Sequence, residues 1–205
     1  MNPKIMMAAA LCVASVSTTA FAEDDFGIES ASPIEIADPI NPQPGMVLSG
    51  YKGSNVSVSD SWLKESVPTL RKAPAIKTVI DKSETFSLKA LGSTEANAGM
   101  WSGFLKCKRA GIYTITLTGK KTSSDGYSVR VNGNSVIGAG KGQTSADAAL
   151  KVGWNKIEIV CQFSNNPRSG RGSLSIAYKP KESLSDARPL TPAMLFYDQK
   201  PEEDW

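Results

Sequence analysis

The chain has 205 residues, 40% of them hydrophobic, which is long enough for one domain with a full core. It contains no histidine, so Ser-His-Asp and Cys-His nucleophile systems, histidine zinc sites and histidine general bases are excluded. A formal charge of +3 is too balanced to argue for nucleic acid as a partner.

The first 22 residues read as a signal peptide. Lys4 supplies the positive charge, Ile5 to Val16 the apolar core, and Ala20-Phe21-Ala22 the small-x-small cleavage site, placing the mature start near Glu23. The apolar run is too short and too rich in Ala and Ser to span a bilayer, so no transmembrane segment is expected after cleavage. Leu11 stands before Cys12, where lipoprotein processing needs a small residue. The expected destination is therefore export: to the periplasm, to the outer surface or into the medium.

Cleavage would remove one of 23 basic residues, leaving 22 against 20 acidic ones, and would remove Cys12. Cys107 and Cys161 remain, an even pair that is a disulfide candidate in an exported chain. The alternative is two buried thiols. Each cysteine shares the parity of inward-facing strand residues, Leu105 for one and Ile157 and Ile159 for the other.

Residues 23–45 form an acidic, proline-punctuated spacer or surface strap, with Pro33, Pro39, Pro42 and Pro44. A β-domain is expected over 46–198, beginning with a short strand at Met46 to Tyr51. From Asp60 to Lys82 the pattern is mixed. Ser61 to Glu65 suits one helical turn, and Lys64, Arg71, Lys72, Lys77 and Lys82 form either a basic face for an anionic ligand or ordinary solvated surface. Strand alternation resumes at Thr85 to Ala90.

The richest stretch runs from Trp101 to Val136. Tyr113, Ile115 and Leu117 alternate with threonines, a half-buried strand, and Tyr127 to Val131 is a second strand closing on an Asn132-Gly133 hairpin. Between them Thr122-Ser123-Ser124-Asp125-Gly126 offers small oxygen-bearing side chains, suited to calcium or sugar hydroxyls, and equally readable as a plain turn. Ala146 to Val152 reads as a strand by its position. Lys156 to Phe163 has the strongest alternation, and Ser164 to Gly172 is a loop rich in Gly, Pro and Asn. Ser173 to Tyr178 returns as a strand, Met194-Leu195-Phe196 is an apolar plug, and 199–205 is an acidic tail. Many short strands with turn signals between them predict an all-β protein, a two-sheet antiparallel β-sandwich of jelly-roll type.

The ordered landmarks are Leu48 to Tyr51, Trp101-Ser102-Gly103-Phe104, Ala110 to Thr114, Ser124-Asp125-Gly126, Val131-Asn132-Gly133, Gly153 to Ile157, Gly172 to Ile176 and Leu190 to Phe196. Together they resemble the sugar-binding β-sandwich module of the anthrax protective antigen, shared with yeast flocculins and some glycosidases. In the calcium-dependent members of that family, two consecutive aspartates and a later asparagine hold an ion that coordinates sugar hydroxyls. The resemblance places Asp125 at the second aspartate and Asn165 at the asparagine, as metal ligands; Ser124 stands in place of the first aspartate. Ser124 and Asn166 are candidate ligand-binding neighbours in the same loops, and Arg168 is one by its proximity to Asn165, its guanidinium being suited to acidic sugars. Trp101 and Trp154 are either sugar-stacking platforms or core residues.

Two classes of function follow. One is an exported, non-catalytic carbohydrate-binding or adhesion module, calcium-assisted, whose partner is a glycan or a cell surface. The other is a structural or protein-interaction subunit of an envelope or pilus-associated assembly, an Ig-like sandwich with no ligand site; the missing carboxylate at Ser124 favours it. No local signature of a carboxylate-pair or Ser-Lys hydrolase is present, so an enzyme is not expected.

Overall fold

The computed structural model describes residues 36–52, 74–92, 95–117, 126–138, 144–162 and 173–199, all within the unit Ile34–Trp205. The expected signal peptide, the helical turn at Ser61 to Glu65 and the end of the acidic tail lie outside the described residues. In chain order the strands are β1 (Pro42–Pro44), β2 (Met46–Tyr51), β3 (Lys77–Asp81), β4 (Phe86–Ser87), β5 (Ala98–Cys107), β6 (Gly111–Leu117) and β7 (Gly126–Val131). They continue with β8 (Asn134–Ile137), β9 (Ser145–Leu150), β10 (Gly153–Gln162), β11 (Ser173–Leu174), β12 (Ile176–Pro180), β13 (Arg188–Leu190) and β14 (Phe196–Asp198). Short 3-10 turns occupy Leu88–Leu91 and Pro192–Met194.

These strands form an all-β sandwich. The large sheet runs β1-β14-β5-β10-β7-β8, with β2 pairing another stretch of the β5 edge and β3 lying outside β2. The second sheet is β13-β12-β6-β9, and β4 and β11 make a two-stranded ribbon. Every recorded pairing is antiparallel, including that of β9 with β6, so the alanine-rich stretch is a strand as its position implied. The sheet takes in Pro42–Pro44, the end of the proline-rich segment, as edge strand β1 against β14. An edge is where proline fits a sheet, because it has no N–H to give a second neighbour. β3 emerges from the stretch whose sequence pattern was mixed.

Period-two alternation builds the core. On β5 the inward set is Trp101, Leu105 and Cys107, and on β10 it is Ile157, Ile159 and Cys161; all six belong to one buried cluster with Met46, Leu48, Phe86 and Leu195. Trp101 is flanked two residues either way by glycines, and the space is needed. A Cβ on Gly99 would sit 2.5 Å from Leu88 and 3.1 Å from the Trp101 ring, and one on Gly103 would sit 2.8 Å from the Phe196 carbonyl. The indole stands edge-on to Phe86, with centroids 5.8 Å apart, and its Nε1–H donates to Asp81 Oδ2 at 2.7 Å. Asp81 is only 1% exposed, and its other oxygen accepts from the Ser83 backbone N–H. A buried carboxylate is tolerable in this place because both of its oxygens have donors.

At the end of the sandwich near the β7–β8 turn, Asn132 takes a positive φ of 49°. Its side-chain amide donates to Asn155 Oδ1 at 2.9 Å, and its oxygen accepts from the Lys156 backbone N–H. Asn155, fully buried, also accepts from the Lys151 N–H and donates to the Lys151 carbonyl. One amide thus ties two turns together.

Candidate functional site

The expected ligand residues Ser124, Asp125, Asn165, Asn166 and Arg168 fall in 118–125 and 163–172, outside the described residues; the strand ends that bear these segments are described. In the large sheet Gly126, the first residue of β7, pairs with Gln162, the last residue of β10. In the second sheet Leu117, the last residue of β6, pairs with Ile176, the first residue of β12. The strand ends next to the two segments are therefore neighbours: 118–125 joins β6 to β7, and 163–172 joins β10 to β11, which pairs with β4 and is followed by β12. Asp125 directly precedes Gly126 and Asn165 follows Gln162 by three residues.

Two more strand ends join this row. Gln162 pairs with Ala98 of β5, and Ala98 pairs with Tyr51 of β2. Tyr51, Ala98 and Val160 form a small apolar cluster with Met100, separate from the sandwich core. Just beyond Tyr51, Lys52 Nζ lies 2.6 Å from Glu95 Oε2, with both side chains largely exposed. The hydrogen bond and the opposite charge raise the Lys52 pKa and lower that of Glu95. Among the described residues no group of three or more His, Cys, Asp or Glu side chains could hold a metal.

The two tryptophans have separate fates. Trp101 is fully buried and bonded to Asp81, so it is a core residue and takes no part in stacking. Trp154 is half-buried on the outer face of β10, edge-on to Phe196 with centroids 5.3 Å apart. Eight residues of strand separate it from Gln162, about 27 Å at the usual rise, so it does not belong with the crossovers. Of the basic run, Lys64, Arg71 and Lys72 are outside the described residues, Lys82 is exposed, and Lys77 donates to the Leu91 carbonyl at 2.8 Å.

The disulfide expectation is corrected. Both sulfurs face inward as their parity implied, yet no bond joins them. Cys107 pairs across the ladder with Gly153 and Cys161 with Gly99, which puts them at opposite ends of the β5–β10 pair, about 27 Å apart. A disulfide needs Cα atoms within about 7 Å. Burial raises the Cys107 thiol pKa.

The sequence pattern pointed to the inward faces but gave no sign of the Asp81–Trp101 pair or the Asn132–Asn155 bridge. Both join residues twenty or more positions apart, and only the register brings them together.

No family model matches the sequence, and no curated protein matches it. Solved structures do match its fold. The chain is similar to the PA14 domain of the MpAFP antifreeze protein, with a TM-score of 0.55 and 18% identity over 82% of this chain and 98% of that one. It is also similar to an anti-sigma factor domain-containing protein, with a TM-score of 0.52 and 16% identity over 82% of this chain and 51% of that one. A third similarity is to an anti-sigma factor domain-containing protein from Clostridium clariflavum, with a TM-score of 0.50 and 13% identity over 78% and 49% of the two chains. The chain spans about half the length of these last two. At such identities the likeness is one of fold, and that fold is the one adopted by a PA14 domain.

Proposed function

We propose that this protein is an exported, non-catalytic carbohydrate-binding or adhesion module whose glycan site is formed by residues 118–125 and 163–172. The observation that supports this reading is the double register, Gly126 with Gln162 and Leu117 with Ile176, which makes neighbours of strand ends close in sequence to both segments. The likeness to a PA14 domain supports it at the level of fold, and the ordered landmarks of the sequence support the choice of loops. Asp125 and Asn165 are assigned to a calcium ion, and Ser124, Asn166 and Arg168 to the sugar.

The two donors fit a hard cation in kind: a carboxylate and an amide carbonyl, both oxygen. With Ser124 in place of a second carboxylate the site carries one formal charge less, so its calcium affinity should be weak. When bound, the ion would supply coordination positions for sugar hydroxyls. Arg168 would add a planar donor for a carboxylate on the glycan.

The alternative of a structural or protein-interaction subunit rests on that same Ser124. A glycan array probed in calcium and in chelator separates the two. Binding that is lost on chelation, and lost in an Asp125→Ala variant with an unchanged melting temperature, is the expected result. No binding to any glycan in either buffer would favour the structural subunit.

A further inference from the structure

We propose that the outer face of the large sheet, at the end away from the crossovers, is a second binding surface that takes an extended anionic polysaccharide. On β5, Phe104 and Lys106 alternate with the core residues Leu105 and Cys107; on β10, Trp154 and Lys156 alternate with Asn155 and Ile157. The register sets Phe104 opposite both Lys156 and Phe196, and Trp154 opposite Lys106. Trp154 and Phe196, from the strands either side of β5, meet at a centroid distance of 5.3 Å and an angle of 76°. Lys106 Nζ lies 5.0 Å from the Trp154 ring centroid.

Three aromatic side chains stand together where period two calls for polar residues facing water, and all three keep part of their surface exposed. Nothing in the sandwich core requires them, because they lie on the face away from it. Their apolar faces suit the C–H faces of pyranose rings, and a sheet surface suits a linear chain running across it.

Charge selects among such polymers. Lys156 Nζ lies 3.6 Å from the buried Glu158 carboxylate. Lys106 and, on the exposed turn after it, Lys108 and Arg109 form no ion pair among the described residues, so the aromatic patch has a positive rim. Carboxylate or sulfate groups along a glycan complement that rim. An acidic peptide would satisfy the charges without needing the rings, and a neutral glycan would satisfy the rings without needing the charges.

This surface is independent of the crossover site, and the test keeps the two apart. The purified protein would be titrated calorimetrically with hexagalacturonate, with uncharged cellohexaose and with hexaglutamate, in chelator and at two salt concentrations. Hexagalacturonate is expected to bind, more weakly at high salt, and to outbind the other two by about tenfold or more. Lys106→Glu, at an exposed position that leaves the fold intact, should weaken binding by about tenfold, as should Trp154→Leu, which keeps apolar bulk. Equal binding of cellohexaose or hexaglutamate, no binding of hexagalacturonate, or full affinity in Lys106→Glu would overturn the proposal.

Discussion

Asp81 and Trp101 show how much one residue pair carries in this sandwich. The largest core side chain presents its only polar atom to a carboxylate that is itself almost wholly buried, at 2.7 Å. Asp81→Ala strands the indole N–H and the Ser83 N–H together, and should cost about 2–3 kcal/mol in urea unfolding. A cost under about 0.5 kcal/mol would show that water or another group replaces the carboxylate. Asn155 is a comparable case, because its amide both donates and accepts. Asn155→Asp keeps the acceptor and turns the donor into a second acceptor facing the Lys151 carbonyl. It should therefore destabilise at neutral pH, by more than Asn132→Ala does; the reverse order would contradict the bridge.

At the surface, Asp147 is held below the ordinary aspartate range by hydrogen bonds from Lys181 and then Thr114. Its folded pKa is the lower one, so its stabilisation is complete above the unfolded value and is lost as pH falls through the folded value. Asp147→Asn should therefore differ from the parent at neutral pH and converge with it in acid. A difference that persists unchanged in strong acid would assign the effect to something other than charge.

Among the elements, the β5–β10 pair shows what a pattern reveals and what it leaves out. Alternation marks both strands and assigns both cysteines to the core face, since parity is a property of each strand alone. How far along the ladder each cysteine sits depends on register, which no single strand encodes. The two sulfurs accordingly share a face and stand at opposite ends of it. Adding a reductant should leave the melting temperature unchanged; a fall on reduction would contradict the register. β1 and β3 were hard to read for other reasons. Pro42 and Pro44 argue against a central strand and are compatible with the edge that β1 occupies. Lys77 to Asp81 sits next to Pro74 amid scattered bases, so its alternation is short, although Ser49 and Thr78 meet across it at 3.1 Å.

For the whole molecule, the sandwich class was legible because short alternating runs punctuated by glycine and proline leave few other ways to bury one face of each strand. The candidate site was legible only as a list of oxygen-bearing residues in two loops. That strand ends close to these two loops are neighbours comes from long-range pairing, Gly126 with Gln162 in one sheet and Leu117 with Ile176 in the other. The aromatic face around Trp154 was half-seen, as a tryptophan that either stacks or packs. Its companions Phe104 and Phe196 come from strands far apart in sequence.

The measurement that bears most directly on the central claim is a double-mutant cycle on glycan affinity, using Asp125→Ala, Asn165→Ala and both together, with a glycan selected from the array. If the two crossovers build one site, the losses will be strongly non-additive, with a coupling of about 0.5–3 kcal/mol. Losses that simply add, or affinities that neither substitution alters, would contradict a shared site at this end of the sandwich.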